Sequence, residues 1–576
     1  MTWARELFHR SQASVGEFLR EYGRELLEQT QGPVVVVTDG SSSATLRAWL
    51  DAAGDRVHVI VIGEGSAALG APELVAITDG VFPAIPHGRG THSAADVKAA
   101  SKICDSIGRV GVLVDATTGN GLERTLLWES LFFHVAKDGL YIAPEGPSEP
   151  GWIAAIELGG GKHKSERELA ELRLSLSPDR FSSHGLIVLV KTVEHLFKVP
   201  EARADDLVTT RLPELRVETL QSLAETTFES SLRVTQHGRD QDLPSTTINA
   251  SPAAVRHYSG PIGIGPTMLT MAQGSVLPPS FRHPWIKNVK NDALRNINWE
   301  FAVLPGSNDG WVRLPGLYYD LNPSIPGHFG HVMTESVAKL WGWPEAKARF
   351  PDLKALCQIP NESYDPVVER TLFTSFGIDE ADIHWESQSV TVDAYISATI
   401  LWQNSPEYQF HPALQDTWST LRRALVGPSE PIYDRIFISR ELSRENRLCR
   451  NAADVEQRFV DAGFAIVHPE TLSFYEQATI FGNARVVAGF AGSGMFNMLF
   501  SERLEHVIVL SQDSYWARNE FLYAASLADS IDYFWSPAEI RHGSGFSTTA
   551  FHSPWSFDFE RNGDDLRRLL ADVATA

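Results

Sequence analysis

The residues with the most evident chemistry in this sequence lie between Pro431 and Leu510. A glycine-rich run, Gly489-Phe490-Ala491-Gly492-Ser493-Gly494, opens directly into a helix-like segment. Glycines permit close backbone approach and positive φ, and a helix N-terminus presents free N–H groups to an anion. Arg440 and Arg447, upstream of that run, carry fixed charge on a planar fork suited to phosphate. Together they describe a diphosphate site; the alternative is a tight turn beside a solvated helix face. Asn497 follows in the first turn, where its amide can hold a phosphate or cap the turn. Glu476 and Gln477 start another helix and either contact a nucleotide or complement that helix's N-terminus. Far upstream, His331 and Glu335 stand i, i+4 and therefore share a helix face.

These residues need a scaffold that brings them together. Ile436–Ile438, Phe464–Val467 and Val486–Ala488 are short apolar runs alternating with helix-like segments Ala453–Ala462 and Phe474–Asn483. A third helix pattern starts near Met495, and Val507–Leu510 reads as the next strand. Such alternation predicts βαβ units and a parallel sheet, with ligands beyond the carboxyl ends of the strands. Ser439-Arg440, His468-Pro469 and the glycine run stand at those ends.

The order Ser439-Arg440, then Arg447 and Asn451, a GF-strand, Pro469-Glu470-x-Leu472-Ser473-Phe474-x-Glu476-Gln477, and VxGxxGSGxxNxLF resembles the C-terminal half of family 61 glycosyltransferases. The resemblance implies a GT-B fold of two Rossmann-like domains, a nucleotide-sugar donor on the C-terminal one, inversion at the anomeric carbon and no obligatory metal. It places Arg440, Arg447, Asn451, Glu476, Gln477, Gly492, Ser493, Gly494 and Asn497 on the donor. Many members carry histidine where this chain has Ala491, and the loop resembles a bacterial GSG-type variant. Upstream, Leu317–Leu321 reads as a strand, and the PGHFGH turn leads into a helix from about Gly330. That segment resembles the family's Y-x-H-F-x-x-E-x-x-x-R-L element, which carries over His331 and Glu335, while the arginine near Lys339 is only loosely kept. Inverting transfer needs a general base at the acceptor hydroxyl and stabilisation of the leaving diphosphate. His331 leads for the base, Glu335 either orients it or is the base, and His328 competes.

Toward the N-terminus, Glu6–Gln29 has the pattern of an amphipathic helix. Val34–Val37, Val57–Ile62, Gly111–Val114, Leu140–Ala143 and His184–Val190 read as strands, with a helix over Glu123–Ala136. The segment VGVLVDATTGNGLERTLLWESLFFHVAKDGLYIAPEG resembles the fourth and fifth strands of class I methyltransferases. The first βα loop departs from that pattern: TDGSSSATL offers only Gly40, and Glu64 in IGEG is a weak imitation of an acidic ribose ligand. The expectation is a degenerate methyltransferase-like domain with no role for S-adenosylmethionine. Glu201–Asp206 reads as a charged linker, Leu212–Ser230 as mixed, and Ser251–Pro284 as irregular loops. Leu353–Ile359 and Ala394–Leu401 read as strands, Val367–Phe376 and Pro412–Leu425 as helices, with a linker at Gly427-Pro428. The expected α/β organisation is therefore residues 1–200 methyltransferase-like, 201–427 acceptor-side and 428–576 nucleotide-sugar-binding.

Over 576 residues, 43% hydrophobic and 21% charged composition fits a globular chain of roughly three to four domains. A formal charge of −22 argues against nucleic acid and against attachment to an anionic membrane by charge alone. Cys104, Cys357 and Cys449 are too few and too scattered for a disulfide framework or metal cluster, which points to a reducing cytoplasm. No signal peptide or spanning segment is read, so a membrane-linked acceptor would be met peripherally, and self-association stays open. The functional expectation is metal-independent, inverting transfer of a sugar to a glycan or cell-surface polysaccharide. Two other readings stay open: a catalytically degenerate scaffold, and a sugar-modifying methyltransferase that uses S-adenosylmethionine.

Overall fold

The computed structural model describes residues 2–10, 14–30, 32–39, 47–49, 51–52, 56–62, 73–75, 94–119, 121–144, 165–177, 180–183, 185–308, 310–428, 433–440 and 446–575. The protein is mixed α/β with several sheets and divides into two compact units. Among the described residues no helix is long and apolar enough to cross a membrane.

The first unit comprises Met1–Val217, Leu269–Ser280 and Lys287–Gly310. Its larger sheet runs in the order Glu73–Val75, Val57–Val61, Val34–Thr38, Val110–Ala116, Val135–Pro144, Leu186–Val190, Phe181–Ser183. The four strands from Val57–Val61 to Val135–Pro144 are parallel, and the outer ones are antiparallel. Val34–Thr38 is buried along its whole length, as a strand covered on both faces should be. The helix expected over Glu6–Gln29 is two helices, Thr2–His9 and Val15–Thr30. Ser14 starts the second, donating from its amide (3.0 Å) and hydroxyl (2.9 Å) to the Glu17 carboxylate. Phe8, Phe18, Leu19 and Leu26 then pack into one core with Val34, Val36 and Val59.

Two further expectations are corrected here. The helix read over Glu123–Ala136 covers Gly121–Leu131, followed by a 3₁₀ turn at Phe132–His134 and a strand from Val135. Phe132, Phe133 and His134 are all buried, which one stripe of an α-helix cannot achieve. The charged linker at Glu201–Asp206 is instead a 3₁₀ turn and the start of helix Ala204–Arg211, which buries Leu207 and Val208. Gly40–Ser43, the helix start at Ala44, Glu64 with its flanking glycines, and His184 lie outside the described residues.

The second unit comprises Glu218–Met268, Phe281–Ile286 and Trp311–Ala576. A central sheet orders Ala253–Ile264, Val390–Ala398, Leu317–Asp320, Lys354–Gln358 and Ile383–Glu386, antiparallel at the first pair and parallel beyond. Ala253–Ile264 overturns the irregular loop expected there. Its register slips between Ser259 and Ile262, so Gly260-Pro261 sits in a bulge where the missing proline donor breaks no ladder bond. Helix Val367–Phe376 falls where its sequence places it and ends on Gly377 at φ 103°. The strand read as Ala394–Leu401 begins earlier, at Val390, and stops at Ala398.

The C-terminal sheet runs Arg233–His237, Ser530–Ser536, His506–Gln512, Val486–Phe490, Arg435–Ile438, Ala465–Val467, parallel throughout. Helices Ala452–Asp461 and Phe474–Asn483 connect its strands as expected. The third helix is a 3₁₀ stretch, Ser493–Phe500, in which Met495 through Phe500 are all buried. Ser530–Ser536 and Arg233–His237 extend the sheet beyond the expected four strands.

Candidate functional site

At the carboxyl end of Val486–Phe490 the chain turns on Gly492, whose φ is 141°. A Cβ there would meet Arg440 Nη2 at 1.7 Å and Arg447 Nη2 at 3.0 Å, so the glycine is what lets both guanidinium tips reach the loop. Arg440 also donates to the Ala491 carbonyl (2.6 Å), so Ala491 contributes through its backbone. Arg447 takes a left-handed backbone (φ 56°), held by its N–H to His552 O (3.0 Å) and by Trp555 Nε1 to its carbonyl (3.2 Å). Its guanidinium lies over Tyr515 (4.8 Å) and Phe551 (5.4 Å).

Two like charges thus converge in a crowded place. Burial, and then the Arg447 charge, push the Arg440 guanidinium down to about 9, still protonated at neutrality. Glu520 is the counter-charge on the protein side: it is fully buried, and burial pushes its carboxyl above the usual range. It accepts the Gly492 N–H (2.6 Å) and the Tyr515 hydroxyl (3.3 Å), while Oε2 has no hydrogen-bond partner. The Gly492 amide is therefore spent inside the protein, which leaves the arginines, Ser493 and Gly494 to face a ligand.

The second cluster stands on an irregular helix: an α turn at Phe329–His331, a π turn at Val332–Ser336 and a 3₁₀ stretch at Val337–Gly342. Wide π turns are frequent at functional sites. His331 Nδ1 lies 2.6 Å from Glu335 Oε1 and 2.9 Å from Ser324 Oγ. Glu335 also accepts from the Ser324 amide (2.6 Å) and pairs with Arg282 Nε (2.7 Å). Burial alone would raise the Glu335 carboxyl, but Arg282, His331 and the Ser324 amide hold it well below the carboxylate range. An ionised Glu335 only accepts, so the His331 Nδ1–H donates to it, which in the neutral ring leaves Nε2 as the acceptor. The competing His328 packs edge-on against His331 (4.8 Å), and burial pushes it down. Lys339 is buried on Asp320 (2.9 Å) and Asn322 O (2.7 Å).

One cavity of about 1380 Å³ takes in both clusters, with Arg282, His331, Arg440, Arg447, Gln477, Ser493 and Gly494 on its wall. They adjoin where the helix turn touches the glycine loop: a Cβ on Gly330 would stand 3.0 Å from Ser493 Cβ. Other expected residues lie off this wall and make local bonds. Glu476 forms a capping box with Ser473. Asn451 pins the Phe557 backbone (2.8 and 3.0 Å). Asn497 is fully buried and donates to Gln477 Oε1 (3.0 Å), which braces a cavity-lining residue. Sequence reasoning missed Arg282, Ser324, Glu520 and Arg518, the last of which ties Tyr515 O (2.6 Å) to Asp242 O (2.9 Å). Among the described residues no group of three His, Cys, Asp or Glu is placed to hold a metal ion.

Comparison with solved structures finds MycE methyltransferase from the mycinamycin biosynthetic pathway in complex with Mg, SAH and mycinamycin VI. The TM-score is 0.21 at 14% identity, over 30% of this chain and 48% of that one. A second MycE crystal, with Mg and SAH, gives 0.20 at 17%, over 30% and 49%. At those scores the likeness assigns no fold. Among curated proteins, chitin synthase E of Aspergillus fumigatus is 34% identical over 62 residues, 11% of this chain and 3% of that synthase. The family model described as Glycosyltransferase 61 matches residues 329–508, the span from the His331 turn through the Gly492 loop, and supports a glycosyltransferase reading of that region.

Proposed function

We propose that the second unit is a GT-B glycosyltransferase that moves a sugar, with inversion, from a nucleotide-sugar to a hydroxyl of a glycan or cell-surface polysaccharide. The observation that carries this reading is the convergence of Arg440 and Arg447 on Gly492, in the same cavity as the His331–Glu335 pair. Two guanidiniums and the start of a helical turn suit a diphosphate leaving group. His331 Nε2 accepts the acceptor proton, and Glu335 orients the ring and stabilises its charged form. The oxygen attacks the anomeric carbon, the bond to the diphosphate breaks, and the arginines take up the developing charge in place of a metal. Asn451, Glu476 and Asn497 act by holding the elements that carry these groups. The first unit serves interaction or acceptor recognition, without S-adenosylmethionine, and the acceptor is reached from the cytoplasmic side.

Calorimetric titration with UDP, GDP, ADP and dTDP tests the donor half. At least one should bind in the micromolar range, and Arg440→Ala should weaken it roughly tenfold to hundredfold, the worth of a charge-assisted contact. Equal affinity in the variant would remove the proposal.

A further inference from the structure

Beyond residue 508, outside the span that matches the family, the chain builds an exposed aromatic cluster on the wall of the same cavity. Trp516 and Phe546 remain 43% and 60% exposed, unusual for side chains this large. His542 packs against both, its ring 4.0 Å from Trp516 and 5.6 Å from Phe546. That histidine is fixed in orientation: Nε2 donates to Ser514 O (2.8 Å), and Nδ1 accepts the Ser547 N–H (3.0 Å). The cluster is therefore a braced aromatic surface, its Trp516 and Phe546 rings inclined at 55° and 5.8 Å apart, rather than two loose side chains.

Its position says what it faces. Phe546 packs on Phe551 (5.7 Å), and Phe551 on Tyr515 (5.1 Å). Tyr515 and Phe551 are the two rings that carry the Arg447 guanidinium. A continuous aromatic path thus leads from the Arg447 guanidinium through Phe551, 5.4 Å away, to the exposed Phe546 ring, 5.7 Å further on. We infer that Trp516 and Phe546 form the platform on which the base of a nucleoside diphosphate stacks while its phosphates lie on Arg440 and Arg447. This deepens the proposed donor site and rests on that reading. A sugar acceptor is the other flat ligand such a surface suits, but the acceptor must reach His331, which stands on the Phe329–Ser336 turn and not on this path. Stacking on a π face does not discriminate strongly between bases, so the platform supplies affinity more than choice of nucleotide.

The test is calorimetry on the full chain with the tightest of UDP, GDP, ADP and dTDP, beside inorganic pyrophosphate. Trp516→Ala and Phe546→Ala should each weaken the nucleotide roughly tenfold to hundredfold and leave pyrophosphate within about threefold. Trp516→Phe, which keeps a ring, should recover most of the loss. Unchanged nucleotide affinity in both alanine variants, or equal losses for nucleotide and pyrophosphate, would overturn the platform while leaving the arginine site standing. If no nucleotide binds the unaltered protein, the donor reading itself falls, and the platform with it.

Discussion

Two parallel sheets in this protein end very differently. In the first unit the strand order reverses between Val34–Thr38 and Val110–Ala116, where doubly wound folds usually place a ligand. There Asp39 accepts the Thr118 amide (2.8 Å) and hydroxyl (2.6 Å), while Asp115 takes Thr117 and Arg124. In the C-terminal sheet of the second unit, Arg440, Arg447 and Ser493 at the strand ends face a cavity. The architecture is shared; what differs among the described residues is that Arg440 and Arg447 keep a cavity wall as well as their bonds to the protein, while Asp39 and Asp115 are engaged by neighbouring threonines and Arg124. Fold alone therefore assigns no chemistry to either region.

The largest test of this contrast is the base. His331→Ala should lower sugar transfer about 10²–10⁴-fold with nucleotide affinity nearly intact. Assays run with and without EDTA should give the same ratio; full activity in the variant, or loss on EDTA alone, would break the proposed chemistry. Next comes Gly492→Ala, whose new methyl would occupy the place of Arg440 Nη2. Diphosphate affinity should fall roughly tenfold to hundredfold, and Gly492→Ala with Arg440→Ala should be little worse than either alone. Additive losses would mean that the glycine serves something other than the arginine.

A smaller effect is expected at the first unit's strand ends. Asp39→Ala should cost about 1.5–3 kcal/mol of unfolding free energy in denaturant titration and leave nucleotide affinity unchanged. A change in ligand affinity, or micromolar binding of S-adenosylmethionine to the unaltered protein, would erase the contrast. The smallest test is at the edge of the C-terminal sheet. His237 Nε2 meets Asp532 (2.6 Å), and Nδ1 meets Asp565 (3.3 Å). Burial pulls this imidazole down, but the two carboxylates raise it above its ordinary value. A raised folded-state value means that the contribution is complete below about pH 6.5 and fades as pH rises through the folded value. Partial exposure keeps it to at most about 1 kcal/mol. Amide exchange of residues 233–237, corrected for intrinsic rate, should quicken modestly from pH 6 to 8, and Asp565→Asn should flatten that change.

What could be read from sequence follows from how locally each feature is determined. Val34–Val37 and Val486–Ala488 are continuous apolar runs, which buried parallel strands require, and they announce themselves. Ala253–Ile264 did not, because Gly260-Pro261 reads as a loop unless a bulge is known to absorb it. Arg440, Arg447 and Gly492 stood out through charge and glycine on short segments. Glu520 and Arg282 did not, since each looks like an ordinary surface charge until a distant partner is known. Glu476 and Asn451 show the reverse difficulty. Side chains that can contact a nucleotide also cap helices and pin loop backbone, and here local bonds engage them.

The strand Arg233–His237 pairs with Ser530–Ser536, made roughly 300 residues later. At roughly 5–20 residues per second on a ribosome, about 15–60 s pass between the two. Through that interval the early strand has no ladder partner in this sheet, the condition in which apolar segments aggregate. Arg233, Gln236 and His237 make it polar, and even in the folded protein none of its residues is buried. The polarity that hides this strand from pattern reading is also what lets it wait in water for its partner to be synthesised.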